Sequence, residues 1–412
     1  MSRKLWVALL LVGLAVYVGY LVWILQPYFR TAEAHVVWQL TPSLPVTQVH
    51  IGDRGTVFAT GGDGLVMISP DGDERYVKRD DPNGWSYGYD ENGEDTLYFC
   101  QVTWFNEELL QQYQQQYGGN YFYDPSQGRY SSQTKQTDPA GAEQPAEPVF
   151  KADLTCVDSD GTVRFVQEVE LKGFVQNLWC NAGRVYFMDS AEMIHCFSEE
   201  GELLWEQRFP GLHDFNKAQD GRLFVNAGSE IIAIDADGNE LWRNSLGPGA
   251  RIDDWRNWSE SGGRLCVVHD GNALSVLGLD GAVEWTHQLW AGNSYYGQYN
   301  YNRDGQAVEL LQDGAVYALD SDAVFWRLKP GGGVDWRFQV GGNPTGFCSA
   351  DDGMAYVQSN RRGLLALSPR GRLIWRDPQL GDGGARPKLG PDGRLYIVNH
   401  GRILAIDLAK TK

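Results

Sequence analysis

Seven histidines (His35, His50, His195, His213, His269, His287 and His400) are scattered along the 412-residue chain. None belongs to an HExxH pair of the zinc-protease kind, and no GxSxG elbow presents a nucleophilic serine. Six cysteines (Cys100, Cys156, Cys180, Cys196, Cys266 and Cys348) show neither CxxC spacing nor the Cys/His grouping of a zinc site. Cys156 and Cys196 stand five residues before Gly161 and Gly201, where Ala233 and Ala366 stand before Gly238 and Gly371. Such a position suits a small, tightly packed apolar side chain, with a disulfide in an oxidising compartment as the alternative. Asp90, Asn92, Glu94 and Asp95 alternate as calcium ligands do, but the twelfth position, where a bidentate Glu is needed, is Gln101. This stretch reads as an acidic hairpin tip. No catalytic, metal or cofactor residues are assigned.

The elements that would carry any site are short strands. Residues 221–242 (GRLFVNAGSEIIAIDADGNELW) read as three strands joined through Ala227-Gly228-Ser229 and Asp237-Gly238. Asp-Gly between apolar runs is a strong hairpin signal, because glycine accepts the positive φ such turns require. Aligned on its first turn, the unit recurs from Gly55, Asp95, Gly183, Gly221, Gly263, Gly314, Gly353 and Gly393. Aligned on its second, it gives Gly72/Tyr76, Gly161/Phe165, Gly201/Trp205, Gly238/Trp242, Gly281/Trp285, Gly332/Trp336 and Gly371/Trp375. A further short strand precedes each unit, and four strands per repeat of this length mark a β-propeller blade. The last unit ends before its aromatic strand. Residues 36–40 (VVWQL) supply one, so an N-terminal strand is expected to complete the eighth blade and close the ring. The expected fold is all-β, an eight-bladed β-propeller of four-stranded blades.

The pattern A-[IL]-[DS]-x-x-G-x-x-x-W (Ala233 to Trp242, Ala366 to Trp375) resembles the PQQ-like β-propeller repeat, and the resemblance runs from about Val36 to Leu408. It implies that Trp38, Trp205, Trp242, Trp285, Trp336 and Trp375 dock between neighbouring blades. The repeat occurs in quinoprotein dehydrogenases and in non-enzymatic relatives such as the propeller lipoprotein of outer-membrane assembly. The dehydrogenases typically carry adjacent cysteines and extra segments around the cofactor. This chain has no Cys-Cys pair, so the resemblance points to the non-enzymatic branch.

Two stretches break the period. Residues 104–150 form an insertion in blade two, with 106–117 (NEELLQQYQQQY) suited to a short helix and 126–148 to disorder. Residues 290–313 (WAGNSYYGQYNYNRDGQAVELLQD) form the second, dense in Tyr and Asn. Tyr295, Tyr296, Tyr299 and Tyr301 offer amphipathic contact at low entropic cost, as recognition loops do; the alternative is a hairpin whose tyrosines cover the blades beneath. Trp255, Trp258 and Trp290 fall outside the repeat register and are candidates for a face or a central channel. These seven are the candidate partner- or ligand-binding residues.

Residues 5–25 (LWVALLLVGLAVYVGYLVWIL) carry no charge and, as a helix, span the roughly 30 Å hydrocarbon core of a bilayer. Arg3 and Lys4 precede the run and Arg30 follows it, which puts the N-terminus in the cytoplasm. The expected organisation is a cytoplasmic tip and transmembrane anchor in 1–30 and a propeller in 31–412 on the non-cytoplasmic side, periplasmic or extracellular. A cleaved signal peptide ending at Ala32-Glu33-Ala34 is the competing reading. No cysteine follows the run closely, which excludes a lipoprotein anchor. Lys and Arg number 35 against 53 Asp and Glu, a formal charge of −18, so no nucleic-acid partner is expected. The chain reads as a membrane-anchored scaffold for a protein partner. The alternatives are a glycan- or small-ligand-binding propeller stacking a sugar on residues such as Trp255, Trp258 and Tyr295, and an oxidoreductase holding pyrroloquinoline quinone with a divalent cation.

Overall fold

Runs such as Val57–Gly61, Leu223–Ala227 and Ala273–Leu277 are apolar at nearly every position and bounded by Gly, Asp or Asn. Runs of that kind become strands covered on both faces. The computed structural model describes residues 33–411 except 62, 80–84, 92–93, 106–121, 125–128, 132–149, 174, 219, 248–257, 271–272, 290–307, 321, 382 and 384. It holds eight four-stranded antiparallel sheets and one two-stranded ribbon, the architecture of an eight-bladed β-propeller. Blade 1 spans 48–79, blade 2 85–171, blade 3 175–208, blade 4 212–245, blade 5 258–288, blade 6 308–339 and blade 7 344–377. Blade 8 takes three strands from 388–407 and its fourth from Val36–Leu40. The chain divides into two compact units, Lys78–Ala250 holding blades 2 to 4, and Met1–Val77 with Arg251–Lys412 holding the rest.

Val36–Leu40 pairs antiparallel with Arg402–Asp407, setting Val36 against Ile406 and Leu40 against Ile403. Three contacts fix where it enters. The Ala34 amide donates to the Asp377 carboxylate at 2.9 Å, the His35 amide to Thr411 Oγ1 at 3.2 Å, and the Asp407 amide to the His35 carbonyl at 2.9 Å.

Exposure within each blade follows strand position. The two middle strands of blade 7, Ala355–Ser359 and Gly363–Leu367, are buried throughout. Outer strands such as Val334–Gln339 and Val283–Gln288 are exposed except at alternate positions. Those half-buried positions carry the tryptophans. Trp38 Nε1 donates to the Pro70 carbonyl of blade 1, Trp205 to Ala236 of blade 4 and Trp336 to Pro369 of blade 7, at 2.8–2.9 Å. In each case the acceptor stands two residues before a turn glycine of the next blade. Trp285 lies on the turn of blade 6, where three consecutive glycines (331–333) reshape the loop, and its Nε1 has no acceptor among the described residues. Trp375 packs with Leu408 and Ala34 at the junction of blades 7 and 8. Trp242 packs on Phe224 of its own blade at a centroid distance of 5.8 Å.

Three residues past four of the first-turn starts, a second aromatic lies beneath the tryptophan: Tyr186 under Trp205, Tyr317 under Trp336, Tyr356 under Trp375 and Tyr396 under Trp38, with ring centroids 5.8–6.3 Å apart. The Tyr317 hydroxyl reaches the Gly353 carbonyl of the next blade at 2.6 Å. Burial pushes the phenols of Tyr317, Tyr356 and Tyr396 up to about 12. A folded-state value above that of the unfolded chain means a contribution fully present below the usual value near 10 and lost as pH rises through about 12. Stability is therefore expected to fall between pH 10 and 12. Thermal unfolding recorded across that range, beside phenolate absorbance at 295 nm, checks it. A melting temperature flat to pH 12 would contradict the assignment.

The inserted stretches divide. Residues 106–117, expected as a helix, lie outside the described residues, as does the apolar run 5–25. Among the described residues no helix is present, and so none is long and apolar enough to cross a membrane. Within 126–148, expected to be disordered, Arg129–Ser131 instead pairs with Phe122–Asp124 as a two-stranded ribbon. Phe122, Tyr123 and Tyr130 are strand-forming types, and they outweigh locally the polar composition around them.

Candidate functional site

Of the seven candidate binding residues, Trp255, Trp290, Tyr295, Tyr296, Tyr299 and Tyr301 lie outside the described residues. Trp258 opens the innermost strand of blade 5, Trp258–Ser261, and is 2% exposed. At that burial it is part of the blade's packing and offers no stacking face. Its strand pattern, set by Trp258 and Ser259 buried in succession, is not the simple alternation that an exposed channel strand would show.

The strands around the candidate loop are well defined. Loop 290–307 leaves blade 5 at buried Leu289 and re-enters at buried Val308, the first residue of the innermost strand of blade 6. The Leu310 amide donates to Ser259 Oγ at 2.8 Å, tying that strand to Trp258–Ser261. Trp255 and loop 290–307 thus immediately precede two strands bonded to each other.

A charged network joins the first strand of blade 6 to blades 7 and 8. Glu309, next to Val308, accepts from Ser349 Oγ of blade 7 at 2.7 Å and from the Arg386 guanidinium at 3.2 Å. Arg386 precedes the first strand of blade 8. Its stem runs over Gly346, where an added methyl would lie 3.0 Å from Cγ. Its Nε donates to the Phe347 carbonyl, and the guanidinium lies 5.5 Å from the Phe347 ring. Three adjacent blades are bolted by one side chain. Asn, Gln or a sterically larger residue at 346 would close its path. Nothing local in the sequence marks this pair, which is 77 positions apart.

His195, His269 and the cysteines are built into the packing. His195 is 3% exposed, with Nε2 3.2 Å from Asp189, and His269 lies 2.9 Å from Ser275 Oγ. All six cysteines are buried, and none is in a disulfide. Burial pushes the Cys348 thiol up to about 12 and Cys196 to about 11, and raises Cys100 and Cys266 further. Such thiols hold almost no thiolate at neutral pH and are poor nucleophiles. Among the described residues no three His, Cys, Asp or Glu side chains are grouped to hold a metal ion. Outside the described residues lie Asn92 and the rest of the loop tip at 92–93.

The profile of a family described as "outer membrane protein assembly factor BamB" matches residues 149–370. No curated protein matches the sequence closely enough to count as a relative. Among solved structures, BamB from Moraxella catarrhalis is similar over 92% of this chain and 99% of its own, at 14% identity and a TM-score of 0.58. Sqt1 from Saccharomyces cerevisiae is similar over 91% of this chain and 99% of its own, at 10% identity and a TM-score of 0.58. At such identities these two likenesses speak for the fold alone.

Proposed function

This chain belongs to the PQQ-like propeller family described as outer membrane protein assembly factor BamB, and from that premise we propose that it is a non-enzymatic, protein-binding scaffold. The membership carries the reading, because the family is described by assembly of other proteins. The run 5–25 anchors the chain in a membrane and presents the propeller on the non-cytoplasmic side. Its partner meets the Tyr/Asn-rich loop 290–307 or the insertion of blade two. Support for the first comes from its setting, a loop held at Leu289 and Val308 by buried side chains of two blades. A rigid scaffold displaying a loop spares a partner much of the ordering cost of binding.

Replacing 290–307 with a short Gly-Ser linker should leave folding intact, since three residues (209–211) suffice between blades 3 and 4. Cross-linking of the full chain in its native membrane, followed by identification of the captured protein, should show a partner that this variant or a deletion of 106–149 loses. Unchanged capture by both variants, each folded by circular dichroism, would refute the assignment. Calorimetric titration with pyrroloquinoline quinone and calcium tests the scaffold reading itself, because micromolar binding with a raised melting temperature would identify a cofactor protein instead.

A further inference from the structure

Blade 5 holds a run of four polar side chains that the scaffold reading leaves unused. His269 ends the second strand, Arg264–His269, and is buried. Its Nδ1 lies 2.9 Å from the Asp270 carboxylate and its Nε2 2.9 Å from Ser275 Oγ. Ser275, 1% exposed, lies 2.7 Å from Thr286 Oγ1, its partner in the register of the third and outer strands. Thr286 is exposed. The run therefore leads from a buried imidazole to a hydroxyl at the surface.

The donors fall into one order when the imidazole is neutral. A carboxylate only accepts, so Nδ1 carries the proton and Nε2 presents its lone pair. Ser275 donates to that lone pair, and Thr286 donates to Ser275. Each bond in the series makes the Thr286 oxygen more basic and readier to attack. The same three strand positions serve otherwise in two other blades. They hold Asp189, His195 and Glu206 in blade 3, and Asp320, Trp326 and Arg337 in blade 6. There each Asp accepts amides of its own turn, from Ala191 and Met193 or from Asp322 and Val324. Blade 5 replaces that acceptor with a base and puts hydroxyls at the other two places.

We propose that Thr286 is a covalent acceptor site, a hydroxyl that takes an acyl group from a thioester or other activated acyl donor. Thr286 Oγ1 forms the bond to the acyl carbon while its proton passes to Ser275 Oγ and the Ser275 proton to His269 Nε2. The carbon–sulfur bond breaks, and the thiolate takes a proton from water. The proton gained by the imidazole leaves to water on the side of the exposed Asp270. On its face of the outer strand Thr286 has Glu284, already engaging Arg264, and Gln288 as neighbours. Neither attracts a phosphoryl group, whereas an uncharged acyl carbonyl needs no cation to approach. Acylation consumes the hydroxyl that links Ser275 to solvent. Ser275 is buried and gives water no route into that place, so the ester persists. The modification is stoichiometric, goes beyond the scaffold reading and does not depend on it.

The test treats the full chain in detergent with p-nitrophenyl acetate and locates acetylation by peptide mass mapping. Thr286 is expected to be acetylated at least roughly a hundredfold faster than Thr162, an exposed threonine on the second turn of blade 2, and to keep its label on incubation. Ser275→Ala removes one buried oxygen and cuts the relay, and should bring the rate down to that of Thr162. Thr286→Ser keeps the label and Thr286→Ala loses it. Circular dichroism melts establish that each variant is folded. Asp270→Gly decides the matter should Ser275→Ala fail to fold. It frees the imidazole from the carboxylate at an exposed residue whose φ of 54° glycine adopts freely, and it should slow labelling as well. Acetylation of Thr286 no faster than that of Thr162, or undiminished in the folded relay variant, overturns the proposal. A label shed on incubation would mark a hydrolytic centre and overturn it likewise.

Discussion

Deletion of residues 34–40 is expected to abolish cooperative unfolding of the propeller. The strand Val36–Leu40 is the outer strand of blade 8, and its loss would leave Arg402–Asp407 as a bare edge. It would also remove Trp38, which packs on Tyr396 at 6.0 Å and donates to Pro70 of blade 1. Asp377, buried, would lose the Ala34 amide. A buried carboxylate stripped of a donor is costly, by about 1–3 kcal/mol or more for a charged group. Trp38→Ala alone should cost about 3–5 kcal/mol, the usual range for truncating a packed tryptophan. The full deletion compounds that with an entire strand pairing and exceeds what a marginally stable domain tolerates. Calorimetry of the wild-type chain and the two variants decides it. A sharp transition of undiminished enthalpy after the deletion would mean that blade 8 stands without its N-terminal strand.

The propeller was legible because its turns repeat. A glycine at positive φ followed four residues later by an aromatic recurs whatever lies between, and the missing aromatic of the last unit pointed to Val36–Leu40. The residues of the second strand that stand three past each first-turn start are equally periodic. They escape notice because an apolar strand tolerates Tyr, Phe or Cys there, as at Tyr317, Phe224 and Cys266. Trp258 shows the limit of register arguments. A tryptophan outside the repeat position reads as a surface anchor, yet the strand it opens is buried against its neighbours. Long-range polar contacts leave no local trace at all. Asp377 looks like any strand-end Asp, and Glu309 and Arg386 are joined only by the stacking of three blades.

Gly371→Ala should be among the most damaging single substitutions, and the reason separates two roles that turn glycines play here. Gly371 has φ of 71°. That conformation costs an L-residue roughly 1–2 kcal/mol. A methyl at this position would also lie 2.6 Å from Cδ2 of Trp336 and 2.8 Å from its Cε3. The ring is held by its bond to the Pro369 carbonyl at 2.8 Å and by Tyr317 beneath it, so it cannot retreat without breaking the junction of blades 6 and 7. Overpacking of this kind adds about 1–3 kcal/mol, for a combined loss of about 2–5 kcal/mol. Gly183 supplies the comparison. Its φ of 76° is nearly the same, but a methyl there meets nothing within 4 Å. Gly183→Ala should therefore cost only the backbone share, about 1–2 kcal/mol. Denaturant melts of the two variants measure the difference directly, and equal losses would show that the tryptophan contact does not restrict the turn. A third variant, Gly371→Ala with Trp336→Leu, removes the large ring and with it the clash. If the glycine is required by the approach of the tryptophan, the alanine should cost no more in the Trp336→Leu background than Gly183→Ala costs in the native one.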